Sequence, residues 1–315
     1  MNSMKRFSAA LLIGVLACSP LVCLADQTLS LTKDFVNQVK DRATVSTDLQ
    51  VDVHPQTPHS VVEKAEDGDI HMAGRDNVIK LPLVAEILNA RFEKDTMQFL
   101  NQISDGQSVS VTGVWRIWFE HPGPGQVQNQ PVPVPTSSNP DHVFELHPIT
   151  RFGTFDCLDS FLNITNPNVS PPKVYKAYSA TTAFGEYKNL QVAIKATSTR
   201  VFLATAKTGF NYTEFVMELA GKPKDMGDSF MVMAHIYDSQ NLEEPVVETM
   251  HRMVFVKGSP PAVQIQGLKK GATLHVLGIP RVNLKEVMAV ANKHGANEIV
   301  VPLPYELIIV AVLPE

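Results

Sequence analysis

The sequence predicts a mainly β protein made of two related units, and three observations carry that prediction. The run Gly106-Gln-Ser-Val-Ser-Val-Thr-Gly113-Val-Trp-Arg116 recurs in outline as Gly271-Ala-Thr-Leu-His-Val-Leu-Gly278-Ile-Pro-Arg281, with both glycines and the arginine at identical spacing. Each copy is followed by an aromatic-Glu-Leu step, Phe144-Glu145-Leu146 and then Tyr305-Glu306-Leu307. Short runs rich in β-branched and aromatic residues, punctuated by Gly, Pro and Asn, fill most of the remaining chain.

The first residues read as a secretory signal over 1–25. Lys5 and Arg6 precede an apolar stretch over 7–17, and Cys23-Leu-Ala25 offers a small-residue cleavage site before Asp26. The stretch is shorter than the ~20 apolar residues that a spanning helix needs, and no later segment reads as a transmembrane span. The expected location is periplasmic or secreted. An alternative places processing before Cys18, because Val15-Leu-Ala-Cys18 approximates a lipoprotein box. Cleavage after Ala25 leaves Cys157 as the one thiol, which excludes an intrachain disulfide and favours a buried apolar role. Loss of Lys5 and Arg6 takes the formal charge from −5 to −7. That balance argues against nucleic acid as a partner, since such binding rests on cations neutralising phosphates.

A short amphipathic helix is expected just after the signal, from Leu31, Phe35, Val36 and Val39, and a connector running through Pro55 and Pro58 completes an N-terminal segment over 26–59. The first β unit is expected over 60–165. Strands at 60–66 and 70–74 flank the turn-type Asp67-Gly-Asp69, and a third lies within 78–88. A helix over 93–103 follows, then strands over 108–120 and 142–150. A lone helix between the third and fourth of five strands is what an oligonucleotide/oligosaccharide-binding (OB) barrel requires. Within 108–120, Val109, Val111, Trp115, Ile117 and Phe119 share one strand face, whereas Ser110, Thr112, Arg116 and Glu120 share the other, read as the wet face. The Pro-rich run 122–140 joins the last two strands, at the place where an OB barrel's ligand is flanked by a loop. It reads equally as a surface loop and as a cover for a ligand.

Asn166-Pro-Asn-Val-Ser-Pro-Pro172 reads as a linker over 166–172, and 173–315 as a second β-rich domain, readable as a divergent repeat of the first. Near its end, Asn283 with Glu286 three residues on marks the start of a helix over 284–294, and Gly295 its stop. That helix follows the glycine-flanked strand, whereas in the first unit the helix precedes it.

Polar residues able to do chemistry gather in the first unit. Asp67, Asp69 and His71 recur at strand spacing, Glu145 and His147 share a face two residues apart, His121 ends a strand, and Arg116 and Glu120 stand on the same strand. Carboxylates with imidazoles can ligate a divalent metal or exchange protons near neutral pH. His147 aligns with Ile308 in the second copy while Glu145 aligns with Glu306, so the histidine is particular to one unit. Turn formation and strand ending account equally simply for each residue alone. No His-Glu-x-x-His, Cys-x-x-Cys, Gly-x-Ser-x-Gly or phosphate-cradling P-loop pattern occurs.

Asp-Gly-Asp-x-His at 67–71, Ala85-Glu86-Ile, Val111-Thr-Gly113-Val and Glu145-Leu-His-Pro148 together resemble a group of uncharacterised bacterial exported OB-like domains, over roughly residues 60–152. The resemblance implies a fold more than a function, and the Pro-rich insertion departs from it. A fainter similarity is to staphylococcal-nuclease-like OB domains, whose catalytic arginine and glutamate have no counterparts here. Three functions follow as expectations: an exported, non-enzymatic protein binding an unknown ligand on the first barrel; a metal-assisted hydrolase of phosphoester or glycan substrates using Asp67, Asp69, His71, Glu145 and His147; and an envelope scaffold subunit partnered with another envelope protein.

Overall fold

The structure is a computed structural model that describes residues 27–55, 68–121, 123, 125–163 and 177–313. The signal segment, Asp67, the strand expected at 60–66 and the linker at 166–172 lie outside the described residues.

The first unit closes as a five-stranded barrel, as expected, although its first strand is not one that was expected. Its strands are β1 (Thr44–Val53), β2 (Ile70–Arg75), β3 (Leu83–Ile87), β4 (Gln107–His121) and β5 (His142–Phe152). They close in the order β1-β2-β3-β5-β4-β1, antiparallel throughout except for the parallel β3–β5 pair. Helix Lys94–Leu100 sits between β3 and β4, inside the span expected for it.

The reading of 26–59 as helix and connector needs correction. The helix is present at Lys33–Val39, but Thr44–Val53 is the barrel's first strand and Gln27–Thr32 is a strand of another sheet. Val45, Thr47, Leu49 and Val51 point inward in β1 while Ser46 and Asp48 point out. The polar half of that alternation keeps the run from standing out as apolar and hides a strand of period two. The barrel therefore begins sixteen residues earlier than expected, at Thr44 rather than residue 60.

The second unit closes the same way. Strands β6 (Thr213–Leu219), β7 (Ser229–Tyr237), β8 (His251–Val256), β9 (Thr273–Val282) and β10 (Tyr305–Val312) run in the order β6-β7-β8-β10-β9-β6, with β8–β10 parallel. The mismatch in helix order disappears, because Pro260–Ile265 forms a short helix between β8 and β9, matching the first unit. Ser259 caps it by accepting the Ala262 N–H, and prolines occupy its first turn, where their missing N–H costs nothing. From sequence alone that Pro-Pro step reads as a break. Helix Leu284–His294 is then an insertion between β9 and β10.

A third sheet binds the units together. Its order is Ile299–Pro302, Gln191–Ala196, Arg200–Thr205, Gln27–Thr32 and Gln126–Val127, so it draws strands from both units. The Pro-rich run is pinned here. Its Gln128 side chain accepts the Thr32 N–H at 2.9 Å and donates to the Ile79 carbonyl at 2.9 Å, while Arg200 donates to its backbone carbonyl at 2.7 Å. Among the described residues no helix is long and apolar enough to cross a membrane.

The two barrels meet along β4 and β9, and the repeated arginines organise the contact. Arg116 lies opposite Glu145 and ion-pairs with it, and Arg281 lies opposite Glu306 and ion-pairs with it at 2.6 Å. Each arginine then reaches across to the other barrel: Arg116 Nε donates to the Pro280 carbonyl at 2.9 Å, and Arg281 Nη1 donates to the Trp115 carbonyl at 2.9 Å. The receiving carbonyl is in both cases the residue before the other arginine, an approximate twofold relation. Trp115 is fully buried as expected, its indole N–H donating to the Arg42 carbonyl at 2.8 Å and the Arg281 guanidinium stacked 3.6 Å from its ring.

Candidate functional site

The face of β4 read as wet is dry over its second half. Ser108 and Ser110 are exposed, but Arg116 is fully buried and Glu120 only partly exposed, because the second barrel covers the wall from Val114 onward. Period two identifies which residues share a wall, and a packed neighbour then decides whether that wall meets water.

On this covered wall most of the expected polar residues converge. His147 stands at the centre: its Nε2 is 3.3 Å from Asp69, and its Nδ1 is 3.3 Å from Glu86 and 3.7 Å from Glu145. His71 Nε2 lies 3.1 Å from the same Glu86 oxygen. Asp69 accepts the Asn89 N–H at 2.6 Å and the Tyr212 hydroxyl at 2.6 Å, and that hydroxyl is 3.1 Å from His147 Nε2. Glu145 continues the network toward the strand ends, through His142 Nε2 at 3.0 Å and through Arg116, which also holds Glu120 at 2.9 Å. His121 is 3.5 Å from Glu120 and stacks on His142 with centroids 4.5 Å apart. Of the expected set, Asp69, His71, Arg116, Glu120, His121, Glu145 and His147 thus belong to one network. Asp67 lies outside the described residues.

Three members are absent from the set expected on sequence. Glu86 alternates outward on β3 between Ala85 and Ile87, a position that its strand alone made legible. His142 begins β5, three residues before Glu145. Tyr212 comes from the second unit, and nothing in the first unit's sequence points to it.

Burial sets the electrostatics. It disfavours the charged His147 ring, but the Glu86 charge and the neighbouring carboxylates of Asp69 and Glu145 outweigh it, so the imidazole titrates well above its ordinary value. Glu145 is pushed up by burial and pulled down further by Arg116, His142 and His147, ending well below the carboxylate range. Glu86 is likewise held below its ordinary value by His147 and His71 against the cost of burial. Glu120, partly exposed beside Arg116, is raised by desolvation but lowered further by the guanidinium, to about 2. All of these groups are charged at neutral pH.

The second barrel provides an internal control. The β2–β3–β5 row His71, Glu86, His147 corresponds in register to Met231, Val254, Ile308 on β7, β8 and β10. Those three are buried and apolar. A junction between barrels can therefore be built without charge, and the first barrel carries charge there at a desolvation cost.

Two sets of side chains bring possible metal donors within 4.8 Å of one another, Asp69-Glu86-His147 and His121-His142-Glu145. Elsewhere on the first barrel, a cleft of about 950 Å³ opens between the outer wall of β1 and β2 and the Pro-rich run, with Asp48, Gln50, Arg75, Asn77, Asn129 and Gln130 among its lining. Neither a protein-family model nor a curated protein sequence matches this chain.

Proposed function

We propose that the protein is an exported binding protein whose first barrel takes a neutral, hydroxyl-rich ligand of the saccharide class in the cleft beneath the Pro-rich run. The observation that carries this reading is the cleft itself, which falls within the ~300–1,000 Å³ typical of ligand sites. Its charged lining is balanced, Asp48 and Asp76 against Arg75 and Lys80, and Arg75 is already clamped by two 2.8 Å hydrogen bonds to Asp52. Gln50, Asn77, Asn129 and Gln130 supply amides that donate and accept at once, the combination that hydroxyls require. Asp76 fixes one rim by accepting the Val78 N–H at 2.7 Å and the Thr47 hydroxyl at 3.1 Å, so the walls are set before a ligand arrives. The signal-like Lys5-Arg6 segment supports export, and the shared strand order supports reading both units as tandem OB copies.

The hydrolase reading draws on the convergence around His147. Asp69, Glu145 and His147 are fully buried under Tyr212 and the second barrel, which leaves a substrate no approach to them. Binding therefore ranks above hydrolysis. Calorimetric titration with a panel of soluble neutral oligosaccharides tests the proposal. At least one should bind, and Gln50→Ala and Asn129→Ala should each weaken it. Binding that ignores both substitutions, or a response to anionic polymers alone, would overturn it.

A further inference from the structure

Of the two donor sets, one has the geometry of a relay and the other that of a metal site. In the first, Asp69 approaches Nε2 of His147 and Glu86 approaches Nδ1, on opposite edges of the ring. The ring there lies between two carboxylates that approach different nitrogens, and it bridges them. The second set is different. His121 and His142 are direct partners across β4 and β5, their rings lie parallel at 17°, and one nitrogen of each stands within 4.8 Å of the other and of a Glu145 oxygen.

We propose that His121, His142 and Glu145 bind a late first-row divalent cation, zinc(II) foremost, at the open end of the β4–β5 pair. Donors around one zinc sit about 2.0–2.2 Å from it, hence at most about 4.4 Å apart, so closing the site requires side-chain rotations that unstack the two imidazoles and turn their in-plane lone pairs toward one point. Three features outside the donor atoms point the same way. His142 Nδ1 lies 2.7 Å from the Pro140 carbonyl, which can only accept, so Nδ1 keeps a proton and Nε2, 3.0 Å from Glu145 Oε1, is the nitrogen that an ion would take in place of a proton. Arg116 holds Glu145 Oε2, which leaves Oε1, at 3.0 Å from His142 Nε2, for the ion. Glu120, 3.5 Å from His121 Nε2, is the carboxylate that orients that imidazole.

The repeat supplies a control here too. The second barrel keeps the Arg281–Glu306 pair but has Leu303 shortly before its glutamate, where His142 precedes Glu145. The ion pair is common to both barrels and the imidazoles are particular to one. His121 keeps about a third of its side chain exposed, so the ion has a path from solvent and a water can complete the shell. Two imidazoles with one carboxylate suit zinc and its neighbours, whereas calcium and magnesium prefer all-oxygen sites.

The test uses the metal alone, with no sugar present, so that its outcome is separate from that of the saccharide proposal. The mature chain, stripped with chelator, is titrated with zinc(II) in competition with a chromogenic chelator, and with cobalt(II) followed by its visible absorption. One equivalent of tightly held metal is expected. His121→Ala, at a partly exposed position with little folding risk, should weaken binding by at least about tenfold, as should His142→Leu if its tryptophan fluorescence shows it folded. His275→Ala, on the second barrel, should bind as the parent does. Absence of stoichiometric binding, or affinity unchanged in His121→Ala, would overturn the proposal.

Discussion

Replacing the charged row of the first barrel by the row the second barrel uses is the sharpest test of what the junction costs. His147→Ile alone removes the cation standing among Asp69, Glu86 and Glu145, and leaves Glu86 buried with only His71 against it. Breaking a buried ion pair from one side costs about 3–5 kcal/mol. The triple replacement His71→Met, Glu86→Val and His147→Ile removes the whole row together. Asp69 keeps the Asn89 N–H and the Tyr212 hydroxyl, and Glu145 keeps Arg116 and His142, so no carboxylate is orphaned. Well-packed apolar replacements of buried ion pairs are commonly neutral or stabilising by about 1–4 kcal/mol. The triple variant should therefore match or exceed the parent while His147→Ile falls far below it. Urea unfolding at pH 7 measures both, followed by the fluorescence of Trp115 and Trp118, the two tryptophans of the chain, both buried on β4. A His147→Ile cost under about 1 kcal/mol, with the triple equal to the sum of its single changes, would refute the claim that these groups act as one network.

Three further outcomes follow from individual residues. Trp115→Ala should cost about 3–5 kcal/mol in the same assay through the lost burial and the cavity left, and should loosen the junction further by removing the ring on which Arg281 stacks. His251 is half-buried, its ring stacked on that of Tyr305, and desolvation there holds its pKa below the ordinary value. A depressed histidine adds stability above the unfolded pKa near 6.5 that is lost as pH falls through the folded value, so the parent should lose stability from pH 6.5 downward and His251→Phe should flatten that slope. Burial pushes the Cys157 thiol up to about 12; this thiol should resist thiol reagents at pH 8 when the protein is native and react fully in urea.

Much of the site was legible because two periodicities act on the same residues. The repeat aligned Arg116 with Arg281 and Glu145 with Glu306, and the structure places each as a cross-strand ion pair in the matching strands. Period two put Glu145 and His147 on one wall. The remainder depends on contacts that strand periodicity does not encode. Tyr212 reaches Asp69 only because the barrels dock face to face, and the same docking turns the wall around Arg116 from wet to dry. Thr44–Val53 is hard to see as a strand because half its residues are polar, and the Pro260–Ile265 helix because Pro-Pro reads as a break before Ser259 is seen to cap it.

The shared third sheet imposes an order of events on biogenesis. Gln27–Thr32 emerges well before its partners Gln126–Val127 and Arg200–Thr205, with Leu29 facing Leu203. The sheet's far edge, Ile299–Pro302, is made almost last. During synthesis this early strand must wait, with its apolar Leu29 and Leu31 unburied, until its partner strands have followed it. Such contacts distant in sequence are slow to form and open to mispairing in the interval. A chaperone that holds Gln27–Thr32 until its partner strands have emerged should raise the yield of folded protein.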